Sequence, residues 1–185
     1  MSTMPLEQAI AVSRQVMSNV TAEQMSDPTP CASWDVSALI NHMVNAPAFF
    51  RAGVEGTPPA GGDTDHAAGD YLAAFDESAG GMLAGFQAEG ALEKMLELPF
   101  GTMPGAGLMG MAVNDTFTHA WDLAKATGQS TDLAPELADA ILAQARQSIQ
   151  DAFRGPEGAP FGEQTEVPDG ATAADRLAAF LGRQV

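Results

Sequence analysis

Positive charge is scarce in this chain of 185 residues: eight Lys and Arg stand against 24 Asp and Glu, a formal net charge of −16. Nucleic acids and anionic membrane surfaces are gripped through clustered basic side chains, so neither is an expected partner, and the surplus acid reads as a solvated surface. Cysteine is scarcer still. With Cys31 alone, neither an internal disulfide nor a zinc site made of thiolates can form, which suits a reducing cytoplasm, and the residue reads as a small buried apolar side chain. No apolar run is long enough to cross a bilayer, and Glu7, Gln8, Ser13 and Arg14 interrupt the segment where a signal peptide would need its apolar core. The expectation is a soluble cytoplasmic protein whose length suits one domain spanning 1–185. Val- and Ile-rich runs of the kind a parallel sheet buries are also missing, as is a G-x-S-x-G elbow for a hydrolase triad.

What is present is helical periodicity. Leu6, Ile10, Val12, Val16, Met17 and Val20 mark a first helix with Pro5 in its first turn. The two prolines of Pro28-Thr29-Pro30 end that segment, and Ser33 or Asp35 can cap a second helix with Val36, Leu39, Ile40, Met43 and Val44 on its apolar face. His42 lies at the edge of this face, and Pro47 predicts a kink or an end near Met43. Gly and Pro recur from Gly53 to Asp70, with Asp63, Asp65 and His66 among them, which predicts a loop in which His66 is solvated. A third helix is predicted from Tyr71 to Ala88, followed by a short strand or extended connector over 95–100. A fourth runs from near Pro104 to Thr127-Gly128, a fifth from Leu133, capped by Thr131 or Asp132, to about Phe153, and a short one from Ala171 to Leu181 after a loop over Gly155 to Pro168. The predicted fold is an all-α bundle.

The fourth of these helices carries the chemistry. Steps of four and seven return to nearly the same helical direction, so Asp115, His119 and Asp122 share one stripe, while Val113, Phe117, Trp121 and Ala124 beside it have the spacing of a core face. An exposed Asp–His pair one turn apart is worth only roughly 0.2–0.5 kcal/mol and needs no aromatic flanks. Set among apolar residues, both groups need a partner, and a metal ion satisfies both, with His42 as third ligand. Two His and one carboxylate leave positions open for water or substrate. Asp122 then fits better as the acceptor of a ring proton from a ligand His than as a ligand itself. The literal G-x-G-x-x-G of Gly105 to Gly110 lacks the preceding strand a dinucleotide site requires, and reads instead as small residues that permit close helix approach.

Pro28-Thr29-Pro30-Cys31-Ala32-Ser33-Trp34-Asp35-Val36 with Asn41-His42, then Leu98-Pro99-Phe100-Gly101, then Asp115 with His119-Ala120-Trp121-Asp122-Leu123-Ala124 and Thr127-Gly128-Gln129, together with Gly182-Arg183, resemble the DinB-like metal-binding proteins related to the N-terminal domain of mycothiol-dependent maleylpyruvate isomerase. The resemblance implies a four-helix bundle holding a divalent metal, zinc or nickel, on His42, Asp115 and His119. Relatives of the isomerase type are expected to carry Glu where this chain has the shorter Asp115, and the isomerase has a second domain that this chain lacks. The implied activity is therefore the general one: binding a low-molecular-weight thiol such as mycothiol or bacillithiol, and transferring it to, or using it to isomerise, a small electrophilic substrate. Two other readings of the same residues stay open, a non-catalytic metal or small-molecule binding module and a non-haem iron oxygenase, although the latter are usually built on β frameworks.

Overall fold

The computed structural model describes residues 2–58, 64–155, 159 and 161–185. Among them are six α-helices: α1 (Met4–Ser18), α2 (Val36–Glu55), α3 (Tyr71–Gln87), α4 (Gly105–Ala126), α5 (Pro135–Ser148) and α6 (Ala173–Phe180). A hairpin of β1 (Met95–Leu98) and β2 (Gly101–Pro104), antiparallel with Leu98 opposite Gly101, turns the chain from α3 into α4. The expected all-α bundle with short extras is what forms. No described helix is long and apolar enough to cross a membrane.

Side-chain pairings fix the directions of the bundle. The buried Ser13 hydroxyl donates to the Thr116 carbonyl at 2.9 Å, and Gln129, just past α4, reaches the Val16 carbonyl at 3.0 Å, so α1 and α4 run the same way. Gln87 meets Glu7 while Arg14 meets Asp76, so α3 opposes α1. Gly81 lies against Arg51 and Gly85 against Val54, which sets α3 parallel to α2. The order is up, down, down, up. Two parallel neighbours need a long return, and residues 56–70 supply it. Asn41 secures that return, its side-chain carbonyl accepting from the His66 and Ala67 amides and its amide donating to Asp65.

Several boundaries differ from expectation. Pro47 does not end α2, which continues to Glu55. Its ring removes one backbone donor, but Pro47 is itself buried on the helix's apolar face, and packing outweighs one missing bond. The predicted loop accordingly starts at Gly56, left-handed at φ 73°, rather than at Gly53, which sits inside the helix against Leu108. Asp63 and most of the second loop's tip, residues 156–158 and 160, lie outside the described residues. Asp35, not Ser33, caps α2, accepting from the Ala38 amide at 2.8 Å. α5 starts at Pro135 after Ala134, rather than at a Thr131 or Asp132 cap, and stops at Ser148. Beyond it Ile149 is extended yet still packed against the core, which is why the apolar spacing overran the helix. Small residues do allow close approach along α4: a methyl group on Gly105 would strike the Ala91 carbonyl, and one on Gly110 the Gln144 amide.

Outside the four long helices, α5 and α6 pack on α4. The Trp121 indole N–H donates to Asp175 at 2.9 Å, and Arg176 pairs with Asp139 at 2.9 Å. α6 opens with a capping box in which Thr172 and Asp175 bond each other's backbone amides. It closes in a Schellman turn: Gly182, at φ 92°, donates to Ala179 and Arg183 donates to Ala178.

Candidate metal centre

Two helices and one turn converge in the half of the bundle where α2 starts and α4 ends. α4 presents Asp115 and His119 on successive turns, with Asp122 a further turn on. α2 brings His42 opposite, its Nε2 3.5 Å from Asp115 Oδ1, and His119 Nε2 lies 3.6 Å from the same oxygen. One donor atom from each of the three lies within 4.8 Å of those of the other two. Trp34, in the turn before α2, lays its ring 4.7 Å from that of His42 and 5.7 Å from that of His119. That turn is held by Thr29, whose hydroxyl donates to the Trp34 carbonyl at 2.8 Å and accepts from the Cys31 amide at 3.1 Å.

The donor set fits a cation. His42 Nε2 is buried without a hydrogen-bond partner, a costly condition for a polar nitrogen unless something else binds it. Ligands at about 2.0–2.1 Å around a tetrahedral ion sit roughly 3.3 Å apart, within a few tenths of an ångström of the two His–Asp separations here. Three protein donors leave coordination positions open, and the His42 and Asp115 side chains that flank them are 30% and 28% exposed. A cavity of about 10 Å³ beside them, bordered by Met43, Pro47 and Phe75, has room for about one water. A wider groove, about 430 Å³, lies at the opposite end of the bundle between Ser2, Gln87 and Leu92, away from these groups.

The other nitrogen of His119 faces a closed cluster. Nδ1 is 3.0 Å from the fully buried Asp122, which also accepts from the Cys31 thiol at 3.3 Å and from Arg183 through Nε at 3.1 Å and Nη2 at 3.0 Å. Burial alone would push the His119 pKa down, but the hydrogen bond to Asp122, the contact with Cys31 and the charges of Asp115 and Asp122 raise it to about 10. Burial alone would raise that of Asp122, but His119 and Arg183 hold it below the usual carboxylate range. Once its Nε2 proton is displaced, an imidazole whose Nδ1 proton is held by a carboxylate offers the Nε2 lone pair, so the closed cluster fixes the tautomer that faces His42 and Asp115.

The structure therefore brings His42, Asp115 and His119 together and sets Asp122 behind His119. His66 joins neither group; its loop is pinned to Asn41 instead. Cys31 is not the buried apolar residue expected: it is half-buried, with its sulfur hydrogen-bonded to Asp122. Cys31 and Arg183 stand among the motif residues, but their meeting at Asp122 was not readable, because they lie 91 and 61 positions from it in the sequence and share no helix with it.

The chain is thus an up-down-down-up helical bundle with a two-histidine, one-carboxylate cluster between its second and fourth long helices. The chain belongs to the mycothiol maleylpyruvate isomerase N-terminal domain family, which it matches over residues 6–124. It is also 43% identical, over 92% of its length and 91% of theirs, to two Mycobacterium tuberculosis proteins, the uncharacterized proteins Rv0738 (strain ATCC 25618 / H37Rv) and MT0763 (strain CDC 1551 / Oshkosh). No solved structure matches.

Proposed function

We propose that this protein binds a divalent metal ion, zinc or nickel, through His42, Asp115 and His119, and uses it to hold a low-molecular-weight thiol of the mycothiol or bacillithiol type for transfer to, or isomerisation of, a small electrophile. The observation that carries the metal is the buried, unpartnered Nε2 of His42 facing the Asp115 carboxylate and the Nε2 of His119. The thiol is suggested by the family, whose name joins mycothiol to an isomerase. A divalent metal supplies a Lewis acid that lowers the pKa of a bound thiol. The chain's own residues do the rest. Asp122 keeps the His119 proton on Nδ1 and Trp34 walls the two imidazoles, while water or a nearby carboxylate takes the thiol proton.

Elemental analysis of untagged protein purified without chelators tests the metal, with about one ion per chain expected. His42→Ala and His119→Ala should lose it while keeping wild-type helical content by circular dichroism. Wild-type protein that carries no stoichiometric metal, and takes up none on dialysis, overturns the reading. A second reading, a non-catalytic metal-binding module, draws support from the small cavity at the cluster, which has room for little beyond a water. Conjugation assays with thiol, electrophile and metal-loaded protein separate the two, since only the first predicts turnover that is lost with His42.

A further inference from the structure

His119 belongs to two sets of metal-ligating groups. Beside the His42–Asp115–His119 set, one donor atom each from Cys31, His119 and Asp122 also lies within 4.8 Å of the others. By chemistry this second set is the more attractive to a thiophilic ion, since it adds a sulfur to an imidazole and a carboxylate. It is also the drier: Asp122 is fully buried, and the His119 side chain is 12% exposed. Yet a cation already stands there. The Arg183 guanidinium makes a two-pronged contact to both Asp122 oxygens, at 3.1 and 3.0 Å, and its Nη2 lies 4.0 Å from Cys31 Sγ. It is delivered from outside the family-matched segment by the Schellman turn at Gly182, where a side chain would strike Gly162, and is pinned by the Thr165 hydroxyl donating to the Arg183 carbonyl.

We propose that Arg183 is the resident cation of the Cys31–His119–Asp122 set, closing it to metal ions and so confining metal to the His42–Asp115 side of the shared histidine. The confinement rests on the metal reading above; the closure does not. With the guanidinium removed, the second set loses its positive charge and gains the space of a planar group. A thiophilic divalent ion then enters as a metal–sulfur bond forms and the Cys31 thiol proton leaves to solvent, with no change of oxidation state.

Cadmium titration of the full chain tests this, read by the ultraviolet charge-transfer absorption of a cadmium–thiolate bond. Wild type and Arg183→Lys, which keeps the charge, should show no such band. Arg183→Met should develop one that saturates at one ion per chain and vanishes when Cys31→Ser is added. Arg183→Gln serves as a second neutral variant, with folding of each checked by circular dichroism. A thiolate band in wild type overturns the proposal, as does its absence from a folded neutral variant. Failure of both neutral variants to fold overturns it too, because Arg183 would then be a structural support. Equilibrium dialysis keeps the two readings apart. Wild type that binds no cadmium by dialysis sinks the His42–Asp115–His119 site, while the band in Arg183→Met still decides the closure.

Discussion

The two nitrogens of His119 look onto opposite surroundings. On the Nε2 side, Asp115 stands 3.5 Å from His42 and 3.6 Å from His119, both it and His42 are about a third exposed, and His42 Nε2 is left without a hydrogen-bond partner. On the Nδ1 side, Asp122 is fully buried and accepts from three different residues. One side is saturated and closed, the other unsatisfied and only partly covered. Polar groups left unpaired are tolerated where a ligand completes them, whereas a closed network costs stability if any member is removed. The contrast thus separates what the fold needs from what a ligand needs, within one side chain.

The contrast breaks most visibly at Asp122. Asp122→Ala strands the Arg183 guanidinium in a largely buried place, and urea denaturation should show a loss of about 3–5 kcal/mol. Asp175 provides the control, since it also ties the C-terminal helix to α4 but touches no donor of either set. Asp175→Ala removes a charged acceptor from the Trp121 indole and should cost about 1.5–3 kcal/mol, with metal affinity measured by calorimetry unchanged. His42→Ala should cost the ring contacts with Trp34 and His119, about 0.5–1.5 kcal/mol each, while removing metal binding altogether. A stability loss at His42 as large as that at Asp122 would erase the distinction between the two sides.

The most diagnostic effect is on pH. In metal-free protein His119 titrates near 10 against an ordinary value of 6.5. A raised pKa contributes stability that is complete below about 6.5 and fades as pH climbs through 10. The urea midpoint of metal-free protein should therefore fall between pH 7 and 10, and His119→Gln should flatten that slope. Metal at Nε2 must displace the same proton, so apparent affinity should rise with pH over this range, roughly tenfold per unit.

How much of this was legible depended on sequence distance. Asp115, His119 and Asp122 declared themselves because three, four and seven are helical intervals and Phe117 and Trp121 marked the inner face. His42 was within reach because it sits at the edge of an apolar stripe that had to pack somewhere. The all-α bundle followed from periodicity and from the missing strand runs. The meeting of Cys31 and Arg183 at Asp122 could not be read, since their approach is made by a turn held through Thr29 and a helix stop at Gly182, and neither leaves a periodic trace. Pro47 misled for a related reason: local rules count the missing donor, while the burial that outweighs it is tertiary. The end of α5 was overrun because Ile149 keeps its place in the core after the backbone has left the helix.

Gly182 touches none of the groups it arranges. Its backbone turns at a φ of 92°, and any β-carbon there would come within 2.5 Å of the Gly162 α-carbon. The back wall of the histidine is thus shaped by two hydrogen atoms standing where side chains would be. A valine at Gly182 would unseat the guanidinium from a distance, and inspection of the polar residues alone would never find the cause.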